Sequence, residues 1–91
     1  MIIKIVNAVN NMYELDCTID SRRREIVIPR QIAMYFIHKH LNVSLAVNGR
    51  YFNRDHATVL HAVKCVNNII TSKGRMDDTF KENIKELDRE I

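Results

Sequence analysis

The stretch SLAVNGRYFNRDHATVLHA (residues 44–62) contains two predicted helices joined by a short turn. Ser44 is a good N-cap for the first helix, which we expect over residues 45–51. Asp55 is a good N-cap for the second, longer helix, whose apolar stripe begins at Val59. Residues 52–54 form the turn between them. A short helix, a tight turn and a longer helix are typical of a helix-turn-helix.

The rest of the chain also has apolar residues at three- and four-residue spacing, which predicts helices and no sheet. An N-terminal helix carries a stripe that consists of Ile2, Ile5, Val6, Val9 and Met12 or Tyr13. We read residues 13–28 as a long connection and expect Pro29 to start the second helix, because proline suits the first helical position. One face of that helix carries Ile32, Ala33, Phe36, Ile37, His40 and Leu41.

The C-terminal part predicts one more helix. We expect Gly74 to end the fourth helix and the fifth to start near Asp77 or Asp78, whose charges suit a helix N-terminus. The apolar residues of the fifth helix are Phe80, Ile84, Leu87 and Ile91. The predicted fold is therefore all-α, a bundle of about five helices with a helix-turn-helix and a basic loop between the first two helices.

The 91 residues, 46% hydrophobic and 27% charged, suit one small globular domain spanning residues 1–91. No segment approaches the roughly 20 apolar residues of a membrane span, and the start of the chain lacks the features of a secretory signal. We therefore expect a cytoplasmic protein with no membrane partner. Cys17 and Cys65 are isolated, which favours reduced thiols over a disulfide.

Positive charge is concentrated in the middle of the chain. Residues 21–55 hold seven basic and two acidic side chains, a net charge of +5, whereas residues 77–91 hold three basic and six acidic ones, a net charge of −3. Arg22, Arg23 and Arg24 are consecutive and cannot all be buried. One part of the surface could therefore face a polyanion, which the other would repel.

The first turn of the fourth helix carries side chains that lie outside its apolar stripe. In a helix-turn-helix this turn enters the major groove of DNA. Ala57 and Thr58 can offer methyl groups to thymine, and Asp55 can accept a hydrogen bond from cytosine. His56 can donate or accept, and Arg54 can reach a phosphate. An arginine-rich connection beside such a motif often enters the minor groove, so the residues indicate duplex DNA binding.

Two other classes of function remain open from the residues. A small helical domain can be a protein-interaction module that docks a partner through an apolar groove or an acidic last helix. An enzyme or metal protein is disfavoured, because His38 and His40 are two residues apart and His56 and His61 are five apart, not three or four. No nucleophile elbow or glycine-rich phosphate loop is present. We expect no enzymatic activity, no cofactor and no metal.

The strings RRREIVIPRQIAMYF (residues 22–36) and RDHATVLHA (residues 54–62) resemble the C-terminal DNA-binding domain of the bacterial replication initiator DnaA. The resemblance is strong over residues 21–62, and the second string is highly specific to the family. It implies an all-helical domain that binds double-stranded DNA as a monomer, at short A·T-rich boxes, in the initiation or regulation of replication in a bacterium or phage. It also suggests nucleoid association and a replication regulator as a second partner.

The resemblance implies a role for each matched residue. Asp55, His56 and Ala57 are expected to contact bases in the major groove. Arg22 is expected to enter the minor groove. Contacts with the DNA backbone are expected from Arg23, Arg24, Arg30, Gln31, Ser44, Leu45, Arg54, Thr58 and His61.

The chain departs from the family pattern in ways that could shift its box preference. Asn53 stands where the family usually has two glycines, so the turn is one residue shorter. Ala57 replaces a common threonine, Ala46 replaces a proline that often touches a base, and Asn48 replaces a usual isoleucine. No G-x-x-x-x-G-K-[ST] loop occurs, so we expect no ATPase domain in these 91 residues and either a free-standing DNA-binding module or a fragment of an initiator.

Overall fold

The chain folds as a bundle of helices in a computed structural model that describes residues 1–71 and 78–91, with residues 78–80 described by their backbone alone. No strand occurs among these residues, so the predicted all-α class with five helices is confirmed. The expected end of the fourth helix at Gly74, the alternative helix start at Asp77 and the expected packing of the Phe80 side chain lie outside the description. The helices are α1 (Ile2–Tyr13), α2 (Arg24–His40), α3 (Leu45–Tyr51), α4 (His56–Thr71) and α5 (Asp78–Glu90).

The core forms around α2, which packs against α1, α3 and α4. Its side chains Ile32, Phe36 and Ile37 have no exposed surface. The other long helices each contribute an apolar stripe in the predicted register, consisting of Ile5, Val6 and Val9 from α1, Val59, Ala62, Val63 and Val66 from α4, and Ile84 and Leu87 from α5. Leu60 of α4 lies outside this stripe and is 43% exposed.

The end of α2 is joined to α5 by polar contacts. His40 stacks on Phe36 with ring centroids 5.7 Å apart, and its Nε2 lies 3.0 Å from Oδ1 of Asp88. The ammonium group of Lys39 donates to the same oxygen at 3.3 Å. These contacts connect α5, which packs against α1 and α4, to the C-terminal end of α2.

The prediction that Pro29 starts the second helix is wrong, because α2 begins at Arg24. Arg23 holds the N-cap position with an extended backbone, and Glu25 lies in the first turn, where its charge suits the helix dipole. Pro29 has no N–H and therefore removes the hydrogen bond that the carbonyl of Glu25 would otherwise accept from this position of the helix. The half-buried residues 26–28 are helical because packing outweighs the weak helix propensity of a β-branched run.

Both helices of the helix-turn-helix have the predicted caps. The Ser44 hydroxyl accepts the backbone N–H of Val47 at 3.1 Å at the start of α3. The Asp55 carboxylate accepts the backbone N–H and the hydroxyl of Thr58, both at 2.9 Å, at the start of α4. These hydrogen bonds hold the pKa of Asp55 below its ordinary value, so the cap is a carboxylate at neutral pH.

Asn53 makes the turn between α3 and α4 by adopting a left-handed backbone conformation with φ of 58°. Asparagine is one of the few residues besides glycine that adopts this conformation at little cost. The backbone N–H of Asn53 donates to the carbonyl of Arg50 at 3.1 Å, and that of Arg54 donates to Gly49 at 2.8 Å. One asparagine therefore closes the shortened turn.

Gly49 sets how closely α3 approaches the start of α4. A Cβ atom at this position would lie 2.5 Å from the carbonyl oxygen of Arg54 and 2.9 Å from that of Asp55. It would also lie 3.1 Å from Cγ2 of Val59. Because the first two obstacles are backbone atoms, the turn itself would have to move. The glycine that weakens α3 as an isolated helix is therefore required by the packing of the pair.

Asn48 is buried with 1% of its surface exposed. Its Nδ2 donates to the carbonyl of Met34 at 3.1 Å and so connects α3 to α2. Its Oδ1 is buried and has no hydrogen-bond partner among the described residues. An unpaired buried oxygen costs about 1 to 3 kcal/mol, so this connection is stabilising only in part.

Replacing Gly49 by alanine should destabilise the domain by about 1 to 3 kcal/mol, the usual cost of overpacking, although alanine is the better helix former. Denaturant unfolding followed by circular dichroism measures the effect. Asn53→Gly, one turn away, is the control and should keep the parent's stability because glycine accepts positive φ. A Gly49→Ala variant as stable as the parent would show that the close contact does not constrain the turn.

Candidate nucleic-acid interface

The first turn of α4 presents the four side chains that the sequence singled out. Asp55, His56, Ala57 and Thr58 are all exposed, whereas the next residue, Val59, is fully buried. The apolar face of α4 packs against α2 and α3, so its first turn projects from a helix that is attached to the core. The structure thus brings the predicted base-reading residues together on one exposed helical turn.

A depression lies beside this turn, between α3 and the start of α4. Its lining consists of Ala46, Arg50, Asn53, Arg54, Asp55 and His56. Arg50 is exposed and received no role from the sequence alone. The available signal was its spacing of four residues from Ala46, which places both on one face of α3. Two arginines therefore border the surface that leads to the first turn of α4.

Arg54 is engaged in an ion pair with Asp20, from the connection between α1 and α2. Its Nη2 donates to Oδ1 of Asp20 at 2.7 Å, and its Nη1 donates to the carbonyl of Asn53 at 3.3 Å. The Arg54 side chain is 23% exposed and that of Asp20 is 79% exposed. This pairing lowers the pKa of the Asp20 carboxyl. The contact could not be predicted from local patterns, because its partners are 34 positions apart in the chain.

The residues before α2 form a segment that we call the arginine arm, residues 17–23. Arg22 and Arg23 in this arm are exposed, as is Arg24, which is the first residue of α2 and not part of a loop. The Arg23 side chain lies 3.7 Å from the carboxylate of Glu25, and both are largely exposed, so this pair contributes little to stability. The arm therefore offers arginine side chains at the surface.

Arg30, for which a contact with the DNA backbone was expected, does not belong to the exposed surface. It is 5% exposed. Its Nε donates to the carbonyl of Cys17 at 3.2 Å, and its Nη2 donates to the carbonyls of Ile19 at 2.6 Å and Ser21 at 3.0 Å. The guanidinium group is thus directed at the arginine arm and not at solvent. Its neighbour Gln31 is half-buried.

The other predicted backbone contacts lie at several places on the surface. Ser44 is exposed and caps α3, while Leu45 is half-buried and packs against the core. Thr58 is exposed and its hydroxyl donates to Asp55. His61 is exposed one turn further along α4, where its Nε2 lies 3.4 Å from Sγ of Cys65.

The thiols and histidines do not form a larger polar centre. In the described part of the chain, no three histidine, cysteine, aspartate or glutamate side chains are placed to share a metal ion. Both cysteines are free, and burial raises the pKa of Cys17 to about 11, so its thiol stays protonated. The pair of His61 and Cys65, four residues apart on α4, was not predicted, although its spacing places both side chains on one face of the helix.

No helix in residues 1–71 and 78–91 has the length and apolar character needed to cross a bilayer.

Known proteins are similar in sequence to this chain over most of its length. Residues 1–66 match the family model for the bacterial dnaA protein helix-turn-helix. The chain is 34% identical over 91 residues to the chromosomal replication initiator protein DnaA of Flavobacterium psychrophilum, an alignment that covers 96% of this chain and 18% of that protein.

Two further relatives have the same name. The DnaA protein of Desulfotalea psychrophila is 42% identical over 71 residues, which cover 78% of this chain and 14% of that protein. The DnaA protein of the Wolbachia of Brugia malayi is 45% identical over 78 residues, which cover 85% of this chain and 16% of that protein. The chain spans less than a fifth of the length of each relative. With its capped α3 and α4 and its matched residues 1–66, the chain belongs to the family of bacterial DnaA helix-turn-helix domains.

Proposed function

We propose that this chain is a sequence-specific duplex DNA-binding domain, residues 1–91, that acts in the initiation or regulation of DNA replication and has no catalytic activity of its own. The observation that carries the proposal is the exposed first turn of α4, held on a packed helix-turn-helix. Membership of the DnaA family supports it. We infer that the domain acts as a monomer in the cytoplasm, associated with the nucleoid.

The first turn of α4 supplies the groups for the major groove. The capping hydrogen bonds to Thr58 fix the Asp55 carboxylate at the helix start, where it can accept from a cytosine amino group. The Ala57 methyl can contact a thymine methyl, and the His56 ring can donate to or accept from a base edge. Because the cap and the packing of α4 already hold the backbone of this turn, less entropy is lost when these side chains are aligned with the bases.

Arginines beside this turn supply contacts with phosphates. Arg50 and Arg54 border the depression next to His56, and the first helix of such a motif crosses the DNA backbone. For Arg54 the contact means exchanging the Asp20 carboxylate for a phosphate, which is feasible because Asp20 is 79% exposed. Further backbone contacts are proposed for Arg23, Arg24, Gln31, Ser44, Leu45, Thr58 and His61.

The arginine arm supplies the contact with the minor groove. Arg22 is exposed and lies in the irregular segment before α2. A·T-rich DNA has a narrow minor groove with a strong negative potential, which attracts an inserted arginine. A box with an A·T-rich part is therefore the expected target, read from both grooves.

The function is tested by selecting bound sequences from a random duplex pool and measuring the affinity for the enriched sequence against salt. We expect one short family of sequences and a log–log slope of about −4.5 to −6.3, which corresponds to roughly five to seven phosphate contacts. Binding without enrichment would contradict sequence specificity. No detectable binding to duplex DNA at low salt would contradict the proposal as a whole.

Substituting His56 by alanine should weaken binding to the selected box by about 1 to 3 kcal/mol and relax the preference at one or two base pairs. The reason is that the His56 side chain is exposed in the first turn of α4 and does not pack in the core. Competition binding against single-base variants of the box measures both effects. His38→Ala, at an exposed position of α2, is the matched control and should leave affinity and preference unchanged.

Substituting Asp20 by asparagine should tighten DNA binding by about two- to fivefold at low salt, the factor expected of an exposed ion pair. The change releases Arg54 for a phosphate and removes one negative charge that DNA would repel. Fluorescence anisotropy at several salt concentrations measures it. Asp16→Asn is the matched control, since Asp16 is exposed and accepts hydrogen bonds from Thr18 instead of an arginine. An unchanged or weaker affinity for Asp20→Asn would mean that Arg54 does not change partners.

A further inference from the structure

The arginine arm connects α1 to α2 without regular secondary structure, yet it carries the side chain expected to enter the minor groove. A segment of this kind loses conformational entropy when it is ordered on DNA, and that loss weakens binding. An arm that is already held in place before DNA arrives avoids most of the loss.

Arg30 holds three carbonyl groups of the arm at once. Its guanidinium donates to the carbonyls of Cys17, Ile19 and Ser21, at 3.2, 2.6 and 3.0 Å. The last of these residues directly precedes Arg22 in the chain. The first is fixed from its other side as well, because the backbone N–H of Cys17 donates to Oδ1 of Asn10 in α1 at 2.9 Å. The arm is thus attached to α1 and α2 as far as the residue before Arg22.

Arg30 is buried, so its charged group depends on the hydrogen bonds that it makes with the arm. With 5% of its surface exposed, the group has left most of its water, which is costly for a charge unless hydrogen bonds replace the hydration. Hydrogen bonds from a charged donor are about twice as strong as those between neutral groups. The hydrogen bonds to the arm therefore stabilise the buried guanidinium, since without them its charge would be left unpaired.

The exposed contact of the arm is of a different kind. Asp20 lies between two of the carbonyls that Arg30 holds, and its side chain pairs with Arg54 at the start of the α4 region. Such an exposed pair is weak and can be exchanged for a phosphate. Arg30 is enclosed and keeps its bonds when that exchange occurs. The arm therefore stays in place beside the helix-turn-helix after Arg54 has turned to DNA.

We propose that Arg30 is a positioning residue that places the arginine arm, and with it Arg22, for the minor groove, so that contacts in the two grooves form as one preassembled unit. The inference rests on the proposed DNA-binding function. It replaces the direct phosphate contact that the family resemblance implied for this residue. Arg30 acts on DNA only through the arm.

A double-mutant cycle on the full chain tests the proposal with the selected duplex and an assay of affinity against salt. Arg22→Ala alone and Arg30→Gln alone should each weaken binding by about tenfold, within the range of a lost specific contact. In the Arg22→Ala background, Arg30→Gln should cost less than about twofold, because the arm then has no arginine to place in the minor groove. It should also leave the salt slope of that background unchanged.

Arg50→Gln is the matched control, because it removes an exposed arginine without touching the arm. Its effect should add to that of Arg22→Ala, and it should reduce the salt slope by about 0.9, the value for one phosphate contact. If Arg30→Gln behaves like this control, with an additive loss and a reduced slope, Arg30 is a phosphate contact and the proposal is overturned. A parent chain that does not bind duplex DNA would instead refute the proposed function.

Stability is measured on every variant by thermal unfolding, since removing a buried charge can disturb the core. If Arg30→Gln does not fold, Arg30→Lys keeps the charge with fewer hydrogen bonds and should show a smaller loss that again vanishes with Arg22→Ala. If both variants are unfolded at 25 °C, Arg30 serves the core alone and the positioning role is wrong.

Discussion

The close approach of α3 to the start of α4 at Gly49 is the constraint on which the rest of the interface depends. The Arg54 N–H donates to the Gly49 carbonyl at 2.8 Å, and no Cβ atom fits beside the carbonyl of Arg54. This contact, with the left-handed Asn53, determines where α4 begins. Because α4 is also fixed by its buried valines, its first turn has one position relative to the bundle. The exposed residues gain their direction from that position.

The arginines of this domain act in three different physical settings, although they look equivalent in the sequence. Arg22 lies in solvent, where its charge is available to DNA. Arg54 is paired with an exposed carboxylate, that of Asp20. Arg30 is enclosed by carbonyl groups, so its charge organises the chain itself. Burial decides among these settings, because a charge removed from water keeps the partners that replace its hydration.

The caps and stripes of the helices could be predicted because they depend on neighbours in the chain. Ser44 and Asp55 bind the backbone three residues ahead, and the valines of α4 repeat with the helical period. The start of α2 could not be predicted in this way. Its β-branched turn and Pro29 argue locally against a helix, and only the packing of the half-buried residues 26–28 and the buried Pro29 overrides them.

The sequence by itself determined the all-α class, the helix-turn-helix that begins at residue 45, the polar first turn of α4 and the surplus of positive charge in residues 21–55, because these depend on composition and short-range spacing. Only the tertiary structure decided that Arg30 is buried, that Asp20 pairs with Arg54 and that Arg50 borders the depression. The physical reason is separation along the chain. Whether a charged side chain contacts a carbonyl, a carboxylate or water depends on how the helices pack. Local sequence patterns do not determine this packing.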